Sequence, residues 1–216
     1  MDNSKIFSKV YMWMFIGLAI TFLTGSLISN NASLVIDIFS GINYLIIAVL
    51  EIGLVIFLSA RITKMKPLTA KILFLFYSVL TGVTFSGIFL VYKIESITVI
   101  FLITSLIMLV LSLVGYFTKI DLTRIGNLLF IGLIGVIITS IVNIFIGSET
   151  IVFITSIISV IIFIGFIAYD VQNIKRMYQL NAMEEDNLAI YGALQLYLDF
   201  INIFIDLLRL FGNARD

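Results

Sequence analysis

Apolar residues run for about twenty positions at a time in seven stretches of this chain, at 10–28, 42–60, 72–92, 97–117, 127–146, 151–171 and 189–211. A bilayer core about 30 Å thick is crossed by roughly 20 helical residues, so each stretch predicts one transmembrane helix. Lipid offers the backbone no hydrogen-bond partner, and a helix is the form that satisfies its amides within the segment. The connections are short and polar, at 30–37, 61–71, 93–96, 118–126, 147–150 and 172–187. The pattern predicts one all-α integral membrane domain over residues 1–216. The first stretch follows Lys5 and Lys9 but has no small-x-small cleavage pattern before Asn30, so it is expected to be retained. The seventh is the least apolar, which leaves a re-entrant or partly buried hairpin open there.

That seventh stretch carries its own pattern. Gln195, Asp199, Asn202, Asp206 and Arg209 follow one another at spacings of four, three, four and three, which puts all five on one helical face. The opposite face is Leu, Ile and Phe. A membrane helix built this way turns its polar face to the bundle interior or to water, so it is expected at the centre of the bundle.

Composition sharpens the picture. Hydrophobic residues make up 61% of the chain and charged residues 12%, well away from the balance of a water-soluble domain. Net charge is zero, which argues against a nucleic-acid partner. Cysteine and histidine are both absent, which removes disulfides, thiolate nucleophiles, haem ligation, histidine zinc sites and Ser-His-Asp catalysis. Titratable chemistry is left to carboxylates, and neither an enzyme nor a bound cofactor is expected.

Ten of the thirteen Lys and Arg residues fall at the N-terminus or in the second, fourth and sixth connections; Lys93, Arg209 and Arg215 are the other three. The positive-inside rule then puts the N-terminus in the cytoplasm and, after an odd number of spans, the C-terminus outside.

Four charged residues lie inside or at the edge of the apolar stretches: Glu51, Arg61, Asp170 and Asp199. Ionisable groups at membrane depth are costly and point to ion paths, proton relays or buried pairs. At 1.5 Å per residue, Asp170 is about 7.5 Å inside Lys175, and Asp199 is about 15 Å along its helix from Ala189. Arg61 is one turn inside Lys64, so these three share the cytoplasmic half and can meet. Glu51 is about 15 Å deeper than Arg61, too far for a direct pair within one helix.

Plainer accounts stand beside these. Interhelical polar glue explains Asp170 and Asp199 without function. Arg61 also reads as a boundary anchor and Glu51 as a buried structural carboxyl. Asp206 and Arg209, at i,i+3, read as a solvated helix-end pair. The run Glu184, Glu185, Asp186 reads as a solvated turn that could also gather cations. Gly82, Gly87, Gly132 and Gly135 read as close-packing positions.

Two carboxyls at hydrogen-bonding distance cannot both ionise cheaply, so they tend to hold one proton between them. Such a pair joins two helices while protonated; without the proton, repulsion, a cation or Arg61 must resolve it. The contact becomes a two-state element that proton concentration can bias. The same oxygens suit Ca²⁺, so Asp170 and Asp199 are also candidate calcium ligands.

The segments SGIFLVY at 86–92, GYFTKIDLTRIG at 115–126, AYDVQ at 168–172 and GALQLYLDFINIFIDLLRLFG at 192–212 resemble the Bax inhibitor family. Its eukaryotic members are called transmembrane BAX inhibitor motif proteins, and this chain is most similar to the bacterial inner-membrane branch. The likeness covers essentially the whole chain and implies seven spans around a central final helix. It further implies a pH-dependent calcium leak gated by an aspartyl pair, with Asp170 in AYDVQ and Asp199 in LYLDF at those positions. Arg61 matches the arginine that bonds to the pair, and Glu51 an upstream glutamate on the ion path, to which Asn202 and Asp206 are added from the polar stripe. Val171 stands where the family usually has Thr, and the Gly-Pro element of the third helix is missing, Pro67 being the sole proline. The Asp170-to-Asp199 spacing is slightly long, implying a longer sixth loop. The charged tail of some eukaryotic members is absent, and no partner that depends on it is carried over.

Besides the lipid bilayer and calcium, the expected partners include a membrane protein such as a membrane-bound protease, in an alternative role as a regulator. A proton-coupled cation transporter is a further alternative. An intramembrane aspartyl protease is disfavoured, because Tyr169–Asp170 fits one catalytic context but no Gly-x-Gly precedes Asp199. A retinal protein is excluded, because the seventh stretch has no lysine for a Schiff base.

Overall fold

The computed structural model describes residues 3–215. Its helices are α1 (Ser4–Ser29), α2 (Ala32–Phe39), α3 (Gly41–Arg61), α4 (Pro67–Val91), α5 (Ile94–Phe117), α6 (Thr123–Ile146), α7 (Glu149–Gln179) and α8 (Glu185–Phe211), with one 3₁₀ turn at Ile62–Lys64. All but α2 are long and apolar enough to cross a membrane. The chain is thus an all-α integral membrane protein with the seven spans its hydrophobic pattern predicts.

The helices outrun the apolar windows, because hydropathy marks where lipid ends and not where helix hydrogen bonding ends. The 172–187 connection is mostly helix: α7 continues to Gln179 and α8 begins at Glu185. In the first connection, Asn31 caps α2 by accepting from the Leu34 N–H at 3.2 Å. Pro67 opens α4, where its missing N–H costs nothing. Gly147 takes φ +68° after α6, and the Asn143 side chain closes that turn through Ser148 N at 3.0 Å and Ser148 O at 3.1 Å.

Backbone contacts divide the chain into two compact units. The first holds residues 3–93, 177–197 and 214–215. Here α1 packs along α4 through Gly25 and Gly82: a Cβ on Gly82 would come within 2.5 Å of Thr24 Cβ and 2.9 Å of the Thr21 carbonyl. Phe22 meets the edges of Phe85 and Phe89 beside that contact. Three helix N-termini gather at one end, because Lys9 of α1 and Lys71 of α4 both bind Asp186 of α8, at 3.1 and 2.7 Å. At the far end of α4, Arg215 N donates to the Val91 carbonyl at 2.8 Å. α8 is one continuous helix from Glu185 to Phe211, and the hairpin alternative for the seventh stretch is set aside.

The second unit holds residues 94–176 and 198–213. Gly115 of α5 lies against the Ala168 backbone of α7, and Gly126 of α6 lies under the Tyr169 ring. Both contacts flank Asp170. Phe101 of α5 packs on Phe200 and Phe204 of α8.

Among the spans, α8 is the most enclosed: 72% of its apolar window is buried, against 6% for α6. Of the predicted polar face, Asp199 and Asp206 are buried, Gln195 and Asn202 half-buried and Arg209 exposed; most of the Leu, Ile and Phe face is buried as well, so this helix presents little to lipid. The wide exposed faces of the other spans are apolar, as hydrocarbon contact requires.

Candidate functional site

The long helices α7 and α8 place the two suspect aspartates in the second unit. Asp170 is 4% exposed and Asp199 3%, and their carboxyls lie within hydrogen-bonding reach of each other. The glycine contacts explain why α7 stands where it does: at Gly115 and Gly126 the neighbouring helices approach without a Cβ in the way, directly beside Ala168 and Tyr169. Among the described residues, no N–H or O–H donor reaches Asp199 Oδ2. A buried carboxyl oxygen without a donor, facing a second carboxyl, is satisfied by a proton carried on the pair or by a cation.

The α5–α6 connection is pinned to α7 just past Asp170. Gln172 accepts from Leu122 N and donates to the Ile120 carbonyl, both at 2.8 Å. Lys175 Nζ donates to the Tyr116 carbonyl at 2.8 Å and sits 4.7 Å above that ring. In the same connection, Asp121 accepts from the Thr123 hydroxyl at 2.6 Å and its N–H at 2.9 Å, and these bonds hold the Asp121 carboxyl below its ordinary range.

Farther along α8, Asn202 is half-buried and its side chain donates to the Leu198 carbonyl at 2.7 Å. Asp206 departs from the solvated reading: it is 5% exposed and accepts from Ser156 Oγ of α7 at 2.9 Å as well as from Arg209 at 3.2 Å. Only the arginine end of that pair reaches the surface. Ser156 escaped the sequence reading, since one hydroxyl adds little to the profile of an apolar span. Its signal is the i,i+3 repeat with Ser159 on one face of α7.

In the first unit, Glu51 is half-buried midway along α3 and accepts from the Thr84 hydroxyl at 3.2 Å. Arg61, at the end of α3, is exposed. The acidic run is no free turn: Glu185 and Asp186 form the first turn of α8 and are held by Lys9 at 2.7 and 3.1 Å. Of the four close-packing glycines, Gly82 and Gly87 meet Thr24 and the Phe39 ring, and Gly132 meets Ile162. Gly135 has nothing within 4 Å.

Among the described residues, no three Asp, Glu, His or Cys side chains converge. A cation at the aspartates would therefore draw on two carboxyls, with other oxygens completing its shell.

Comparison with known proteins agrees with this architecture. The family model described as "Inhibitor of apoptosis-promoting Bax1" matches residues 3–216. The inner membrane protein YbhL of Escherichia coli K12 is 42% identical over 213 residues, covering 96% of this chain and 91% of its own length. An uncharacterized protein of Borreliella burgdorferi is 41% identical over 218 residues, covering 99% and 94%. An uncharacterized membrane protein of Streptococcus pyogenes is 37% identical over 216 residues, covering 97% and 93%.

Proposed function

The chain belongs to the Bax inhibitor family, and from that premise we propose that it is a pH-sensitive, calcium-permeable leak in a bacterial inner membrane, gated by Asp170 and Asp199. The observation that carries the reading is a pair of buried carboxyls on α7 and α8, one of whose oxygens has no donor among the described residues. With one proton shared, the two carboxyls tie the helices together. Without it, two negative charges in a low-dielectric site repel, and the helices separate or take up a cation. Proton concentration thereby sets the balance between two packings of the same contact.

The remaining oxygens form the path in this reading. Asn202 and Asp206 continue along α8 within the same unit as the pair. In this reading the N-terminus is cytoplasmic and the C-terminus outside, which the Lys and Arg distribution supports.

The test is calcium influx into dye-loaded liposomes holding the purified chain, from mildly acidic to mildly alkaline pH, with Asp170→Asn and Asp199→Asn in parallel. A pH-dependent flux that either substitution flattens supports the aspartyl gate. Absence of flux from folded protein sinks the leak and favours a regulator that binds a membrane partner. Saturating flux with stoichiometric proton movement instead assigns a proton-coupled transporter.

A further inference from the structure

We infer that Asp206, Ser156 and Ser159 form a second cation-binding site, distinct from the Asp170–Asp199 pair, in which the guanidinium of Arg209 is the resident counter-ion. The inference deepens the calcium-leak reading where transport is concerned; binding at the site does not depend on it.

The geometry is that of a built site. Asp206 comes from α8 and the two serines from α7, where they are 1% and 5% exposed. Ser156 Oγ donates to Asp206 Oδ1 at 2.9 Å, and Ser159, one turn on, presents its hydroxyl to the same carboxyl. Arg209 Nη1 reaches that Oδ1 at 3.2 Å. The pair is lopsided: the Asp206 side chain is 7% exposed and that of Arg209 52%. The carboxyl is a fixed part of the interior, while the arginine enters from outside and can leave without carrying a buried group with it.

Helix stability does not account for Asp206. It lies close to the C-terminal, negative end of α8, where the helix dipole favours cations. A carboxylate there, removed from water, requires a positive charge beside it. When the arginine swings away, carboxyl and hydroxyl oxygens remain. That donor set is hard, all oxygen, and suits a cation such as Ca²⁺ over a soft metal.

Position along α8 gives the site its use. Asp206 follows Asp199 by seven residues, about 10.5 Å on the same helical face, with Asn202 between them. Two oxygen sites in series let an ion be held at one while the next arrives, the arrangement that combines binding with release in conducting paths. Arg209 then acts as a tethered cation that a mobile one must displace.

Calorimetric titration of the purified full-length chain with calcium, in detergent, tests this. Removing the tethered competitor with Arg209→Gln is expected to tighten calcium binding by about tenfold or more, a modest ion-pair energy expressed as affinity. The gain must persist when Asp170→Asn is added and vanish when Asp206→Asn is added. Ser156→Ala with Ser159→Ala is expected to reduce it. Unchanged affinity in Arg209→Gln overturns the inference, as does a gain that survives Asp206→Asn. Should Arg209→Gln not fold, Asp206→Asn alone leaves no buried charge uncompensated; it must abolish the weaker wild-type site, and undiminished binding there is equally fatal. A parallel liposome flux assay separates the two readings. Tightening without wild-type flux leaves the site standing and removes the leak, and flux without tightening does the reverse.

Discussion

The hydroxyls of Thr21 and Tyr197 lie 2.6 Å apart, joining α1 to α8 where both residues are fully buried. Thr21 Oγ1 also donates to the Ser78 carbonyl at 2.9 Å, so its single proton is committed and Tyr197 is the donor in the pair. The tyrosine ring stands edge-on to Phe74 and Tyr77, contacts that survive loss of its hydroxyl. Tyr197→Phe should therefore cost about 1 kcal/mol, the net value of one hydrogen bond. Thr21→Val should cost more, about 1–3 kcal/mol, because it strands a buried phenol. Thermal unfolding in detergent compares the two, and the reverse order would refute this assignment of donor and acceptor.

A second prediction concerns Asp186, which holds Lys9 at 3.1 Å and Lys71 at 2.7 Å and so fastens three helix N-termini together. The partners are about a third exposed, and such pairs contribute about 0.2–1 kcal/mol each. Asp186→Asn should lower stability by about 1 kcal/mol in dilute buffer. At about 1 M salt, where the screening length falls to ~3 Å, the gap to wild type should close. A gap that ignores salt would assign the loss to packing.

The seven spans and the polar stripe of α8 were legible because both are repeats: twenty-residue apolar runs, and carboxyls and amides at spacings of three and four. What escaped depends on residues distant in the chain. Asp206 looks like half of a surface ion pair until Ser156, fifty residues earlier, closes over it. Glu185 and Asp186 look like a solvated turn because the lysines that bind Asp186 lie 177 and 115 positions away. Helix ends lie beyond the apolar runs for another reason: α7 leaves its apolar run after Val171 yet stays helical to Gln179, past Lys175.

Two glycines give a contrast in packing. A Cβ on Gly115 would collide with the backbone of Ala168, which cannot turn aside, so Gly115→Ala must push α5 from α7 beside Asp170. The expected cost is about 1–3 kcal/mol. Gly135 has nothing within 4 Å, and alanine there removes glycine's conformational freedom, so Gly135→Ala should be neutral or stabilising by up to about 1 kcal/mol. Denaturation midpoints of the two variants should fall on opposite sides of wild type or differ by well over the measurement error.

At the α5–α6 connection, Thr123 holds the Asp121 carboxyl below its ordinary value of 3.8. A depressed carboxyl contributes stability that is present above its unfolded value and is lost as pH falls through its folded one. Hydrogen exchange at the Thr123 amide should therefore lose protection only in acid, below the ordinary aspartate range. Asp121→Asn should make that protection insensitive to pH over the same interval. Retained acid sensitivity in the variant would place the titrating group elsewhere.

The last prediction separates a pair from two neighbours. If Asp170 and Asp199 act through one shared proton, either Asn substitution destroys the shared unit, and the second has nothing left to remove. In liposomes, the pH profile of calcium flux should be as flat in Asp170→Asn as in the double variant, and equally so in Asp199→Asn. Two carboxyls that titrate independently behave otherwise: each single variant keeps half of the response and the double loses the rest. Additive losses would reduce Asp170 and Asp199 to separate charges along a path. A double variant no flatter than either single one requires that they work as one group, and only a group held between α7 and α8 can turn a proton into a movement of one helix against the other.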